Sequence, residues 1–251
     1  MTGAAFKDHF SGHAADYAQA RPSYPDALFE FLADNCARRS VAWDCATGNG
    51  QAAIALARHF GKVIATDASA QQIASATRHP AIDYRVAPAE ASRLGPASID
   101  LVTVAQALHW FDFSRFFAEV ERVLAPGGLF AAWCYGLGRV TPDCDRIVDD
   151  LYHGLDDYWF PERVHVENGY RDIPMPFVSL DTPGFDMRLD WTAEQMIAYL
   201  RTWSAAKNYQ REHGRDPIDA GVAALSEAWG SGARLVVWPL ALRAGYLAPA
   251  D

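Results

Sequence analysis

The chain has 251 residues, of which 50% are hydrophobic and 21% charged, with a formal net charge of −9. That content buries a real core as one α/β domain, or one with a small appended subdomain, and excludes a disordered chain. The acidic balance, without clustered Lys and Arg, argues against nucleic acid, whose phosphates are gripped by such clusters. Cys36, Cys45, Cys134 and Cys144 show no C-x-x-C spacing and follow no basic-then-apolar leader. They read as reduced thiols of a cytoplasmic protein. No apolar run approaches the length of a membrane span, so no membrane partner is expected.

In chain order, an amphipathic segment from Phe6 to Tyr17 is followed by Arg21-Pro22-Ser23-Tyr24-Pro25, where two prolines break the pattern before a helix from Asp26 through Ala37. Strand and helix patterns then alternate: strand Ser40–Cys45, helix Ala52–His59, strand Lys62–Asp67, helix Ala70–Arg78, strand Ile82–Ala87 and, after a polar connection, strand Ile99–Ala105. The helix Ser114–Leu124 puts Phe116, Phe117, Val120, Val123 and Leu124 on one face, and Pro126-Gly127-Gly128 turns into strand Leu129–Trp133. Such alternation implies a parallel sheet covered by helices, with ligands outside the carboxyl ends of its strands. Residues 136–176 predict irregular structure or short helices. A strand at Phe185–Leu189, helices at Thr192–Ala206 and Ile218–Trp229, and a last strand at Arg234–Leu242 follow.

The most informative run is Val41-Ala42-Trp43-Asp44-Cys45-Ala46-Thr47-Gly48-Asn49-Gly50-Gln51, a short apolar strand that passes an acid and a glycine turn into a helix. Glycines there let backbone approach a ligand, and the helix start aims N–H groups at it. Gly48 to Ala53 also matches G-x-G-x-x-A, so a dinucleotide competes for this turn. Asp44 tilts the choice: a carboxylate at the mouth of the turn repels a pyrophosphate and suits a ligand with an ammonium group and a sulfonium. Asp67, closing the second strand, is placed for ribose hydroxyls of either cofactor.

On these residues the chain resembles the class I S-adenosylmethionine-dependent methyltransferases, and within them the small-molecule, trans-aconitate-type branch. Further pieces that carry the resemblance are Tyr17 to Pro25, Ala89-Glu90, Ala107-Leu108-His109-Trp110-Phe111-Asp112 and Leu124-Ala125-Pro126-Gly127-Gly128. The resemblance implies a Rossmann-like, seven-stranded, mostly parallel α/β sheet with helices on both faces, an antiparallel last strand and a cap after the fifth strand. Residues 1–135 would hold lid helices and the cofactor core, 136–230 a cap with one late strand, and 231–251 the final strand.

By the same resemblance Asp44, Gly48 and Gly50 would line the methionine and ribose part of S-adenosylmethionine. Asp67 would bind the ribose hydroxyls, Ala68 would lie against the adenine, and Ala89 and Glu90 would meet its edge. Gln106 and Ala107 would hold the methionine moiety, with Tyr17 and Arg21 closing over the cofactor and Arg21 pairing with its carboxylate. Ala46 stands where many members carry glycine; a negative φ would accommodate it with slightly altered turn geometry.

Methyl transfer from a sulfonium has a good leaving group, so alignment and exclusion of water dominate. An ionised carboxylate acceptor needs no base, whereas a hydroxyl is helped by one, and His109 is the best placed candidate. His109, Trp110, Phe111, Trp133 and Tyr135 are expected on the acceptor side. The bland alternatives are a His109 bonded to a backbone carbonyl and cap aromatics, Trp159, Tyr170 and Trp203 among them, that form the cap's own core. His153, His165 and His213 lack metal-site spacing, so no catalytic metal is expected. The reading is O-methylation of a small carboxylic acid or hydroxyl compound by a monomer or weak homodimer. Its alternatives are a nicotinamide-dependent oxidoreductase and a non-catalytic sensor of the same cofactor.

Overall fold

The computed structural model describes residues 22–247, so the expected Phe6–Tyr17 helix, with Tyr17 and Arg21, lies outside the described residues. A helix α1 (Asp26–Asp34) precedes the alternating core: β1 (Val41–Cys45), α2 (Gln51–Leu56), β2 (Lys62–Asp67), α3 (Ala70–Ser75), β3 (Ile82–Val86), β4 (Ile99–Ala105), α4 (Phe113–Val123) and β5 (Leu124–Tyr135). Short 3-10 turns at Ala89–Ala91 and Leu108–Trp110 follow β3 and β4.

Strands β1 to β5 pair in parallel in the order β3-β2-β1-β4-β5. Side chains that alternate along a strand face opposite sides of a sheet, and the central strands are apolar on both. Ala42, Val63, Ala65, Leu101, Leu129, Ala131 and Trp133 join one core with α1 and α2. Their neighbours Trp43, Ile64, Val102, Val104, Phe130 and Ala132 join a second core with Phe116, Phe117, Val120 and Val123 of α4. Asp112 caps α4 by accepting from the Arg115 N–H at 3.1 Å. Asp100 of β4 ties the sheet together at its lower end. Its Oδ2 accepts from the main-chain N–H groups of Ser40 and Val41 at 2.8 and 3.0 Å, fixing the start of β1.

Beyond Tyr135 the chain forms α5 (Pro142–His153), α6 (Arg163–Glu167), β6 (Val178–Leu180), β7 (Phe185–Trp191), α7 (Ala193–Leu200), α8 (Ser204–His213), α9 (Asp219–Trp229) and β8 (Arg234–Tyr246). A full helix, α5, thus stands where irregular structure or short helices are expected: Thr141 caps it and Cys144, Val148 and Tyr152 give it a buried face. The helix expected over Thr192–Ala206 is two, broken at Arg201–Trp203. β8 is antiparallel to β5, pairing Leu129 with Tyr246 and Tyr135 with Leu240. Its far edge takes both β6 (Val178 with Tyr246) and β7 (Phe185 with Leu240), so these two act as one interrupted edge strand with an extra residue between them. The sheet is therefore seven strands wide, and β8 alone runs against the rest. The helices after Tyr135 bury Cys144, Val148, Leu155, Met196 and Leu225 in the same core as the β1-side face of the sheet.

Among the described residues no helix is long and apolar enough to cross a membrane. The four cysteines are buried and unpaired.

Candidate functional site

The carboxyl ends of β1, β2, β4 and β5 meet at one edge, and the turn after β1 is the most constrained part of it. Ala46 has φ +54°, Gly48 +57° and Gly50 +90°. The Thr47 N–H donates to the Thr66 carbonyl at 2.9 Å, which holds the turn against β2. The expected negative φ at Ala46 is therefore incorrect: tertiary bonds on both sides impose the left-handed conformation on a residue with a Cβ. Among the described residues a Cβ added at Gly48 would meet only Gln72 Oε1, at 3.9 Å, so these residues leave the backbone there open. One at Gly50 would lie 2.2 Å from the Tyr84 hydroxyl, which itself donates to the Thr77 carbonyl. Gly50 is required by packing as well as by conformation.

Two acids serve this turn differently. Asp67 Oδ2 accepts from the Gly48 N–H at 2.9 Å and Oδ1 from the Ser69 N–H at 2.8 Å, which sets its carboxylate beside the turn at the end of β2. Asp44 is not at the lip where the sequence suggests it. It is fully buried beneath the turn, its oxygens taken by the hydroxyls of Thr47 (2.5 Å) and Thr103 (2.9 Å). Burial raises its pKa to about 6, partly offset by those two hydrogen bonds. Asp44 thus braces the underside of the turn, and Thr47 and Thr103, which sequence reasoning passed over, are what make that burial tolerable.

Ala68 follows β2, Ala89 is buried in the 3-10 turn after β3, and Glu90 beside it accepts from the Asp112 N–H at 3.2 Å. Gln106, φ +55°, ends β4; its Nε2 donates to the Tyr135 carbonyl at 3.0 Å and its Oε1 accepts from the Tyr135 N–H at 2.8 Å. That double bond continues the β4–β5 ladder through a side chain and leaves Ala107 to start the next turn.

Beside Gln106 lies a chamber of ≈ 90 Å³. Gln106, His109, Trp110, Tyr135 and Gly136 wall it from the sheet, and Trp159, Phe160 and Arg163 from the segment leading into α6. Tyr199, Thr202, Trp203 and Ser204 close it at the α7–α8 break. A wider groove of ≈ 640 Å³ shares Gly136, Trp159, Phe160 and Arg163 with it. Three of the five expected acceptor-side residues, His109, Trp110 and Tyr135, thus come together. Phe111 turns away to Phe116, ring centroids 4.6 Å apart. Trp133 is fully buried in the core, edge-on to Tyr24 and Phe29. Trp133 shares the face of Tyr135 but lies two residues further from the end of β5, and Phe111 lies past the 3-10 turn that carries His109 and Trp110.

Trp159 and Trp203 wall the chamber instead of forming a separate cap core, and Arg163 is its cation. Arg163 Nε donates to the Tyr152 hydroxyl at 3.0 Å, the hydroxyl bonds Glu167, and the guanidinium lies over Trp159, 4.9 Å from the ring centroid. His109 Nδ1 lies 3.0 Å from the Tyr170 hydroxyl. Burial, reinforced by the positive field of Arg163, pushes the His109 pKa down to about 3. Such an imidazole is neutral at physiological pH and a weaker base than a free histidine, which bears against the expected role of general base. Among the described residues no group of three or more His, Cys, Asp or Glu is placed to hold a metal ion.

A parallel sheet with an antiparallel last strand, a glycine turn after β1 open at Gly48 and an acid at the end of β2 define an α/β protein that binds a nucleoside cofactor across its strand ends. A family model described as a methyltransferase domain matches residues 43–132. A Dictyostelium discoideum protein described as a methyltransferase is 33% identical over 218 residues, covering 85% of this chain and 83% of that one. A solved structure from Anaeromyxobacter dehalogenans, described as a type II methyltransferase, is 48% identical with TM-score 0.86, covering 92% of this chain and 99% of that one. A Saccharomyces cerevisiae protein described as an S-adenosylmethionine-dependent methyltransferase matches at 33% over 131 residues, only 45% of its length. The chain belongs to the S-adenosylmethionine-dependent methyltransferases. The open backbone at Gly48 and the Asp67 carboxylate fit that cofactor, which supplies an electrophilic methyl group on a sulfonium.

Proposed function

We propose that the chain methylates an oxygen of a small molecule, a carboxylic acid or a hydroxyl compound, held in the chamber beside Gln106. The observation that carries this reading is the chamber itself: an aromatic-walled space at the ends of β4 and β5 that the described residues leave open. An open space there also favours an enzyme over a sensor, which would have no use for a second site.

The chain's own residues have little covalent work. Trp110, Trp159, Phe160 and Trp203 exclude water, while the Gln106–Tyr135 brace fixes the separation of the two strand ends that flank the acceptor. The cofactor would supply the electrophilic methyl group, and an acceptor that arrives as a carboxylate has no proton for the protein to remove. Tyr17 and Arg21 are proposed to close over the cofactor, and Ala68, Ala89, Glu90, Gln106 and Ala107 to line it. We assign the protein to the cytoplasm, as a monomer or weak homodimer without nucleic-acid or membrane partners.

The test is incubation of a metabolite extract with the protein and methyl-labelled cofactor, read by mass spectrometry. A labelled methyl ester or ether of a small molecule is expected; label appearing only in protein or nucleic acid would overturn the reading.

A further inference from the structure

We propose that His109 is locked by Tyr170 as the neutral Nε2–H tautomer, and that with Arg163 it makes the chamber a receptor for an anionic oxygen group on the methyl acceptor. This deepens the reading above and rests on it for the word acceptor. The tautomer and the anion preference are properties of the protein and can be measured without turnover.

The tautomer follows from hydrogen-bond bookkeeping around one buried phenol. Tyr170 is fully buried, and burial pushes its pKa well above the usual phenol range, so it keeps its proton. Among the described residues its hydroxyl meets only His109, through the ring Nδ1 at 3.0 Å. Were Nδ1 the protonated nitrogen, its N–H would donate to that oxygen and the phenol proton would be buried with no acceptor among the described residues. A buried donor left without an acceptor loses its bond to water and gains nothing in return. With the phenol donating to Nδ1 the buried phenol proton has its acceptor, and the imidazole proton goes to Nε2.

Nε2 is then the working end of the ring. It has no hydrogen-bond partner among the described residues, yet it is not among the buried nitrogens sealed away without one, and His109 lines the chamber. An N–H therefore faces a cavity whose wall, among the described residues, contains no carboxylate. Arg163 faces the same cavity. Its Nε is held by Tyr152, its plane rests on Trp159, and among the described residues no carboxylate lies within ion-pairing distance of it. A guanidinium anchored at one edge and unpaired at its fork is arranged for a planar anion. The charged and titratable groups facing His109 are Tyr170, Arg163 and His165, and none of them offers a negative charge to stabilise an imidazolium.

The two donors also explain why a weak base is no handicap. An acceptor that arrives ionised needs its charge placed, not its proton removed. Tyr170 is a positioning residue, acting through His109.

Nitrogen-15 spectra of imidazole-labelled protein test the first half. His109 should show the Nε2–H pattern and no titration between about pH 5 and 8, and Tyr170→Phe should shift that pattern toward a tautomer mixture. An Nδ1–H signature in the wild-type protein, or protonation of His109 in that range, overturns the proposal whatever the variant does. Titration with acetate, benzoate and succinate against acetamide and benzamide, in the presence of S-adenosylhomocysteine, tests the second half. At least one anion should move the His109 Nε2–H resonance while the amides do not, and Arg163→Gln should weaken that anion about tenfold or more. No response to any anion, equal response to amides, or an unchanged affinity in Arg163→Gln overturns it. The labelled-extract experiment fails or succeeds independently of these spectra.

Discussion

Ala46 holds a left-handed backbone that an L side chain adopts at a cost of about 1–2 kcal/mol. Ala46→Gly should therefore raise stability by about 1 kcal/mol in urea unfolding, after the extra chain entropy of glycine is subtracted; a clear loss would mean the methyl group packs against something essential. Asp44 gives a pH prediction. Its folded-state pKa stands at about 6 against an ordinary 3.8, so the folded protein binds that proton more tightly than the unfolded chain. Its contribution to stability is consequently present below about pH 4 and lost as pH rises through 6, and Asp44→Asn should remove this slope. Affinity for S-adenosylhomocysteine, which carries an ammonium group, should run the opposite way in calorimetry. It should fall as pH drops below about 6 in the wild type and stay weak and flat in Asp44→Asn. At this scale the glycines and both acids were legible in the sequence because their residue types have few other uses. The sign of φ at Ala46 was not, since it is imposed by Thr66 on the neighbouring strand. Nor was Arg163, one of eleven arginines and lysines after Tyr135 until Tyr152 and Trp159 orient it.

Strands and helices of the cofactor half could be read because their apolar periods are long and uninterrupted. The breaks after Tyr135 were hidden for the same reason. The run from Thr192 to Ala206 keeps a helical period through Arg201–Trp203, yet the helix stops there, with Thr202 bonded to the Tyr199 carbonyl at 2.6 Å and Trp203 closing the chamber. β6 has only three residues, too few for any alternation to register. The four aspartates of α5 dominate its sequence and conceal the buried face of Cys144, Val148 and Tyr152 behind them. Between elements, Asp100 is the most consequential side chain: one carboxylate oxygen answers two main-chain N–H groups at the entry to β1. Asp100→Ala should cost about 2–3 kcal/mol, because two donors lose their acceptor in a half-buried place. Asp100→Asn should recover much of it, and equal losses in both variants would point to the Arg38 ion pair instead.

The helices after Tyr135 and one face of the sheet share a single apolar core, so the protein should lose them together. Far-ultraviolet ellipticity and tryptophan emission are expected to give coincident thermal transitions; a separate early transition in either would show that the helices melt off a surviving sheet. This unity was not apparent in the sequence, where the change of rhythm at Tyr135 suggests a cap apart from the core. The reason lies in β8. Leu240 pairs both with Tyr135 of β5 and with Phe185 of β7, so one strand stitches the early and late parts of the chain. On the ribosome that stitch comes last. Until residues 234–246 emerge, β5 presents a bare ladder of amides and carbonyls, and the β6–β7 edge has nothing to dock on. At about 5–20 residues per second, the nascent chain spends several seconds with an open seam, an interval in which a holdase chaperone, or another copy of itself, has access to what β8 will cover.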